Sequence, residues 1–207
     1  MDYKNNIKTI NLEQLKESLS LFRKQFAEVI TIDRERAKNI LMFEDKILRL
    51  FSQFGFTRSF GSVDQWYRQN INLGTGEFSF VFDLPMLQKA ALHFPVEQIA
   101  LSEFSCAPRS TKTIFYGRVD FEKEPPEKSN TDGFYTETEL PIMLAPFPIG
   151  DSYLHYTVDG NHRVTAKLDE GVLIVNAHKL DADATYQAIP IPFQKVLYNY
   201  IWYLKHL

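Results

Sequence analysis

The sequence predicts an α+β protein, and three observations carry that prediction. Two long stretches near the amino terminus repeat apolar residues at spacings of three and four, which is typical of amphipathic helices. Beyond about residue 111, short segments rich in β-forming residues alternate with loops and one short helix. A last helical stretch closes the sequence. We therefore expect a helix-rich region at 1–110, a small mixed β core at 111–181 and a carboxy-terminal helix within 182–207.

The two amino-terminal helices are predicted from their apolar stripes and their end signals. Asn11 and Asp33 are expected to cap them, because Asn and Asp side chains accept hydrogen bonds from the first free N–H groups of a helix. Gly55 is expected to end the second helix, and the two helices are expected to form an antiparallel hairpin. The stripes consist of Leu12, Leu15, Leu19, Phe22, Phe26, Val29 and Ile30, and of Ile40, Leu41, Phe43, Ile47, Leu48, Leu50 and Phe51.

The middle of the chain contains one predicted strand and one predicted helix. Residues 77–82 alternate in polarity after a glycine-containing turn, which is typical of a strand. Proline is common in the first turn of a helix, because its missing N–H is not needed there. We therefore expect a helix that opens at Pro85 and runs through His93.

The predicted β core consists of short strands around one helix. Strands are expected at 114–121, at 140–145, in a segment that ends at Asp159, and at 172–177, with a helix at 161–170. The polar run 122–133 contains two prolines and cannot bury much, so it is expected to be a surface loop.

The carboxy-terminal helix is aromatic on both faces. Tyr198, Trp202 and Tyr203 lie opposite its main apolar face, so this surface is expected to pack back on the amino-terminal helices or to join a second copy in a homodimer. A helix of ~15 residues is too short to span a bilayer.

Composition and charge exclude several classes of protein. The 207 residues carry a formal charge of −3, so a broad basic face and broad DNA binding are not expected. The single cysteine, Cys106, excludes an internal disulfide and fits a reducing compartment. No stretch reaches the ~18 apolar residues of a membrane span, and the first residues are polar. We expect a cytoplasmic protein without a membrane partner.

The segment from Asp159 to Lys167 has the layout of a phosphate site. A strand ends at Asp159, Gly160 permits a sharp bend, and the helix that follows presents free N–H groups beside Arg163. Arginine offers a planar fork of donors that suits phosphate oxygens, and a histidine such as His162 can donate as well.

The order of strands and the glycine motif resemble the ParB/sulfiredoxin superfamily over about residues 111–181. The motif of that family is Gly-x-[His/Arg]-Arg at the start of a helix that soon carries alanine. Gly160, His162, Arg163 and Ala166 stand in those places, and Asn161 fills the variable position.

The resemblance implies a nucleotide or phosphorylated small molecule bound at this helix start by Gly160, Asn161, His162 and Arg163. The implied cofactor is a nucleoside triphosphate with Mg²⁺, held near Asp159, and the implied activity is phosphoryl transfer or hydrolysis of the triphosphate. Family enzymes use an acidic residue after the first core strand. Glu122 is nearest to that place and is expected to serve as base, with Asp159 and His162 as the other catalytic candidates.

Two departures from the family narrow the expected activity. Sulfiredoxin chemistry needs a cysteine where Asn161 stands, so sulfinic-acid repair is not expected. Partition proteins continue into a helix-turn-helix domain, whereas the residues after Asp181 suffice for one helix, so centromere-style DNA reading is not expected.

Several alternatives remain open from sequence alone. The motif is also compatible with a plain turn in which Asp159 caps the helix and a His-Arg pair is solvated. His155, Asp159 and His162 form a weaker candidate metal site. The whole protein is alternatively a catalytically inactive interaction module, or a mobile-element regulator that contacts DNA through a local basic patch.

Overall fold

The computed structural model describes residues 8–27, 33–56, 66–72, 75, 77–104, 140–147 and 155–205. It divides into two compact units, one formed by Met1–Pro85 with Tyr186–Leu207 and the other by Met86–Thr185. In chain order the elements are α1 (Leu12–Ala27), α2 (Arg34–Phe54), β1 (Trp66–Asn72), β2 (Glu77–Asp83), α3 (Leu84–Ala91), β3 (Val96–Ala100), a short 3-10 helix (Leu101–Glu103), β4 (Ile142–Pro146), β5 (His155–Asp159), α4 (Asn161–Asp169), β6 (Ile174–Lys179), α5 (Ala182–Gln187) and α6 (Pro192–Lys205).

The helix ends of the first unit confirm the predicted caps. The Asn11 side chain accepts from the Gln14 N–H at 2.9 Å, and the Gln14 side chain accepts from the Asn11 N–H at 2.9 Å. This reciprocal pair satisfies two N–H groups at the start of α1. Asp33 caps α2 by accepting from the Arg36 N–H, and Gly55 ends that helix with φ 53°.

The cores of α1 and α2 follow most of the predicted stripes. Leu15, Leu19, Ile40 and Ile47 are fully buried. Leu41 is 55% exposed, so its place in the predicted stripe is wrong. It follows Ile40 directly, and adjacent helical residues point in directions about 100° apart. Val29 and Ile30 lie outside the described residues.

The carboxy-terminal helix α6 packs against α2 within the same unit. The Tyr200 hydroxyl donates to Glu44 Oε1 at 2.7 Å, and Arg23 Nη1 donates to Glu44 Oε2 at 2.9 Å. Gln194, which is fully buried, joins α6 to β2: it accepts from the Val81 N–H and donates to the Ser79 carbonyl. These polar contacts fix the helix over β2, which pairs antiparallel with β1.

The second unit is built on a four-stranded sheet in the order β3-β6-β4-β5. β6 runs antiparallel to β3 and parallel to β4, while β4 and β5 are antiparallel. The chain is therefore α+β with a mixed sheet. Val164 of α4 is buried among residues of the sheet, including Ile142, Leu144, Val175 and Ala177.

The division of the chain differs from the predicted three parts. The predicted boundary at residue 110 separates β3 from the core, but β3 pairs with β6 and therefore belongs to the same sheet. The strands predicted at 140–145 and 172–177 appear as β4 and β6, and the strand predicted to end at Asp159 is β5. The strand predicted at 114–121 lies outside the described residues.

Within the described ranges, no helix is both long enough and apolar enough to cross a membrane.

Candidate functional site

Gly160 forms the bend between β5 and α4 that the sequence predicted. Its φ of 99° lies in the left-handed region, which disfavours any residue with a Cβ. A Cβ at this position would also lie 2.5 Å from Ile142 Cγ2 and 3.1 Å from Arg163 Nε. The bend is thus packed against β4, and the missing side chain leaves room for the arginine to fold back over the backbone.

The Arg163 guanidinium lies beside Asp159 on the other side of that bend. Arg163 Nη2 is 3.6 Å from Asp159 Oδ2, which is an ion pair but too long for a good hydrogen bond. The Arg163 side chain is only 16% exposed, so the interpretation of a solvated His-Arg pair does not hold for this residue. Gln88 Nε2 of α3 approaches the same carboxylate oxygen at 3.5 Å.

A cavity of about 270 Å³ opens along α4, and two cationic side chains line it. Arg163 and Lys167 are four residues apart, so they lie on the same face of the helix, one turn from each other. The Lys167 side chain is 15% exposed, and its Nζ lies 3.7 Å from a carboxylate oxygen of the more exposed Glu170. Two positive charges therefore point to one small space.

A further part of the cavity lining comes from the beginning of β6. β4 and β6 pair from Ile142 and Ala177 onward, and the cavity lies before that point, against residues 174–176. Asn176 and its cross-strand partner Gln98 line it with amide-bearing residues.

The rest of the lining is aliphatic. Leu140, Val172 and Ile174 contribute to it, together with the buried Ile142 and Val175. The cavity thus combines two cations, two amides and an apolar surface.

No protein-family model matches this chain. Comparisons with curated proteins and with solved structures likewise find no match. The site is therefore interpreted from its own geometry.

The structure brings together some of the predicted site residues and separates others. Gly160 forms the bend, and Arg163 reaches the cavity. The helix start does not line the cavity as the sequence led us to expect. Asn161 Oδ1 is buried without a hydrogen-bond partner in the described part of the chain. An amide oxygen only accepts hydrogen bonds, so a fully ionised phosphate offers this atom no donor.

Of the remaining predicted catalytic residues, the structure describes the side chain of Asp159 but not those of Glu122 and His162. The N-cap position of α4 belongs to Gly160, which has no side chain to accept a bond, and Asp159 lies one residue before it. Glu122 lies outside the described residues. His162 is in the first turn of α4, and its side chain lies outside the described part of the structure.

The described residues offer no metal site around His155 and Asp159. No group of three His, Cys, Asp or Glu side chains among them is arranged to hold a metal ion. His155 is partly buried, and this burial, followed by the charge of Lys179, lowers its pKa. A magnesium ion at Asp159 would therefore need a bound phosphate and water as its other ligands.

Of the nine residues that line the cavity, the sequence had indicated only Arg163 as a site residue, and the polar or exposed ones that were missed include Lys167, Gln98, Asn176 and Leu140. Lys167 was recognisable in principle, because a residue four positions after Arg163 on a helix shares its face. The other three come from distant segments that only the folded sheet brings together.

Proposed function

We propose that this protein binds the phosphate group of a nucleotide or another phosphorylated small molecule in the cavity along α4. The more specific expectation, a nucleoside triphosphate with Mg²⁺, is what the resemblance to the ParB/sulfiredoxin superfamily implies, and the motif of that family covers Gly160 to Arg163. The observation that carries the proposal is the pair Arg163 and Lys167, one turn apart and lining one cavity.

The two cations suit a phosphate for electrostatic reasons. Each side chain is about five-sixths buried, at 16% and 15% exposure, so water screens their charges less than it would at an open surface. The guanidinium carries five N–H donors, and the ammonium adds three. Hydrogen bonds from such charged donors to a phosphate are roughly twice as strong as neutral ones.

The size of the cavity favours a small anionic group. Ligand pockets usually enclose ~300–1,000 Å³, and this one measures about 270 Å³. It therefore suits a phosphate with the atoms next to it, while the rest of a larger ligand would lie outside.

The nearby carboxylates set the conditions for binding. Asp159 and Glu170 lie within 4 Å of the two cations and compete with an incoming anion. Mg²⁺ relieves that competition when it bridges a carboxylate and a phosphate. We therefore expect Mg²⁺ to strengthen phosphate binding through Asp159. Phosphoryl transfer with Glu122 as base stays a prediction from the sequence.

The proposal is tested by calorimetric titration of inorganic phosphate, AMP, ATP, CTP and GTP, with and without Mg²⁺. Arg163→Gln and Lys167→Gln are each expected to weaken phosphate binding about tenfold, which corresponds to the loss of one charge-assisted hydrogen bond. Lys89→Gln, an exposed change in the same unit, is the control and should leave the affinity unchanged. If no phosphate compound binds at millimolar concentration, the proposal fails.

Asp159→Asn separates the two roles proposed for that carboxylate. Without Mg²⁺ the variant should bind phosphate severalfold more tightly, because a competing negative charge is gone. With Mg²⁺ it should lose the extra affinity that the metal supplies to the natural protein. An unchanged Mg²⁺ effect would remove Asp159 from the metal site.

The alternative is a catalytically inactive interaction module, with the aromatic carboxy-terminal helix and the amino-terminal helical hairpin as its assembly surface. In the structure, Tyr198 and Tyr200 of α6 are fully buried within their own unit. That helix packs on α2, while the Trp202 and Tyr203 side chains are only partly buried, so the alternative stays a prediction from the sequence.

A further inference from the structure

We infer that the phosphorylated ligand carries an apolar group directly next to its phosphate. This inference rests on the proposed function and narrows it, because it concerns the part of the ligand that leaves the cavity. It is drawn from the rim of the cavity, formed by Leu140, Val172 and Ile174.

The rim residues are exposed although they are aliphatic. Leu140 is 51% exposed, Ile174 is 53% exposed and Val172 is 36% exposed. Scattered exposed apolar residues are common on proteins, but three of them around one cation-lined cavity form a local patch.

The turn after α4 holds this rim beside the cations. The Val172 N–H donates to the Lys167 carbonyl at 2.8 Å, and the Gly171 N–H donates to the Leu168 carbonyl at 3.0 Å. Gly171 has φ 74°, as expected for a helix that ends in a left-handed residue. Val172 therefore stays next to Lys167, and an anion held by Lys167 has an aliphatic surface as its neighbour.

The arrangement matches an amphiphilic phosphomonoester better than a ligand that is polar throughout. The charged end of such a ligand is neutralised by Arg163 and Lys167, and its apolar part covers side chains that are otherwise exposed to water. A nucleotide places a hydroxyl-bearing ribose at the same position. Gln98 and Asn176 are the residues that would favour the ribose, so AMP is included as a direct competitor.

The test is a calorimetric titration of the full chain with inorganic phosphate, methyl phosphate, butyl phosphate, hexyl phosphate and AMP. Each added methylene is expected to tighten binding about two- to fourfold until the chain has covered the rim, the upper value being that of a fully buried methylene. Hexyl phosphate should bind more tightly than AMP. Equal affinities along the alkyl series, or a preference for AMP, would overturn the inference.

Two matched variants locate the effect. Ile174→Ser should flatten the dependence on chain length, measured as the ratio of the affinities for hexyl phosphate and inorganic phosphate in the same variant. Leu92→Ser is the control, because Leu92 is 79% exposed in the same unit but does not line the cavity. A chain-length effect that survives Ile174→Ser would overturn the assignment of the rim.

The two proposals fail in different ways. If inorganic phosphate binds and requires Arg163 but the alkyl chain adds nothing, the inference is wrong and the phosphate site stands. If alkyl phosphates and AMP bind the natural protein no more tightly than they bind the Arg163→Gln variant, the phosphate site itself is wrong.

Discussion

At the scale of single residues, Gly160 is under two constraints that can be separated by mutation. Gly160→Ala places a residue with a Cβ in the left-handed region, and that Cβ would lie 2.5 Å from Ile142 Cγ2. We expect it to lower the free energy of unfolding by about 2–4 kcal/mol, the sum of backbone strain and overpacking. Gly171→Ala is the matched control, because its φ is 74° but no atom lies within 4 Å of the new Cβ. Gly171→Ala should lower the free energy of unfolding by about 1 kcal/mol. If urea denaturation shows the same loss for both variants, the packing against Ile142 is unimportant.

Glu44 gives a second prediction at this scale, through its titration. Burial raises the pKa of Glu44, and the hydrogen bond from Tyr200 and the charge of Arg23 lower it by less. Its folded pKa therefore lies above the unfolded value, which is ~4.3. The stabilising contribution of the protonated carboxyl is fully present below the unfolded pKa and is lost as the pH rises through the folded pKa.

The measurement compares the natural protein with Glu44→Gln by urea denaturation between about pH 4 and pH 7. Stability of the natural protein should fall relative to the variant as the pH rises, by at most about 1.4 kcal/mol per pH unit for one proton. Glu35→Gln, an exposed change in the same helix, should show no such difference. A difference of the opposite sign would mean that Arg23 and Tyr200 outweigh burial.

The residues of the site show how far sequence reasoning reaches. The glycine bend and Arg163 were predictable, because a short local motif specifies both. Gln98 and Leu140 were not, because their position depends on how β3 and the start of β4 meet β6. Lys167 lay just beyond the motif, and only the cavity shows that it lines the same space as Arg163.

At the scale of secondary structure, Gln194 shows how one buried polar side chain joins two elements. It accepts from the Val81 N–H at 2.9 Å and donates to the Ser79 carbonyl at 2.8 Å. Gln194→Leu should cost about 2–4 kcal/mol in the free energy of unfolding, because two buried backbone groups lose their partner. Asn199→Leu, on the exposed face of the same helix, should change stability by less than about 0.5 kcal/mol. If thermal and urea denaturation give the two variants the same stability, the bridge contributes nothing.

The elements that the sequence predicted are those with strong apolar patterns. The sequence of β4 is a continuous apolar run, which is typical of a strand that is buried on both faces, and all five of its residues are buried. β3 was missed, because only Ile99 of its five residues is buried and no alternation is visible. β1, with several polar residues, and α5, with only six residues, were missed for the same lack of a periodic signal.

At the scale of the whole molecule, the second unit is inserted into the sequence of the first. The chain leaves the first unit after Pro85 and returns at Tyr186. Close to these points, the Asp83 N–H donates to the Ala188 carbonyl at 2.7 Å. The points at which the chain leaves and re-enters the first unit are therefore adjacent, which is the condition under which a domain insertion is tolerated.

This adjacency predicts that the first unit folds without the second. Replacing residues 86–185 by a short Gly-Ser linker should give a protein with the helical circular dichroism of α1, α2 and α6 and one cooperative unfolding transition. Doubling the linker should cost only about 0.6 kcal/mol, because loop closure depends weakly on length. Leu197→Asp is the control, since Leu197 is fully buried in α6 and a charge there should unfold the shortened chain. A shortened chain that shows no cooperative transition, while the full protein does, would mean that the first unit depends on the second for its stability.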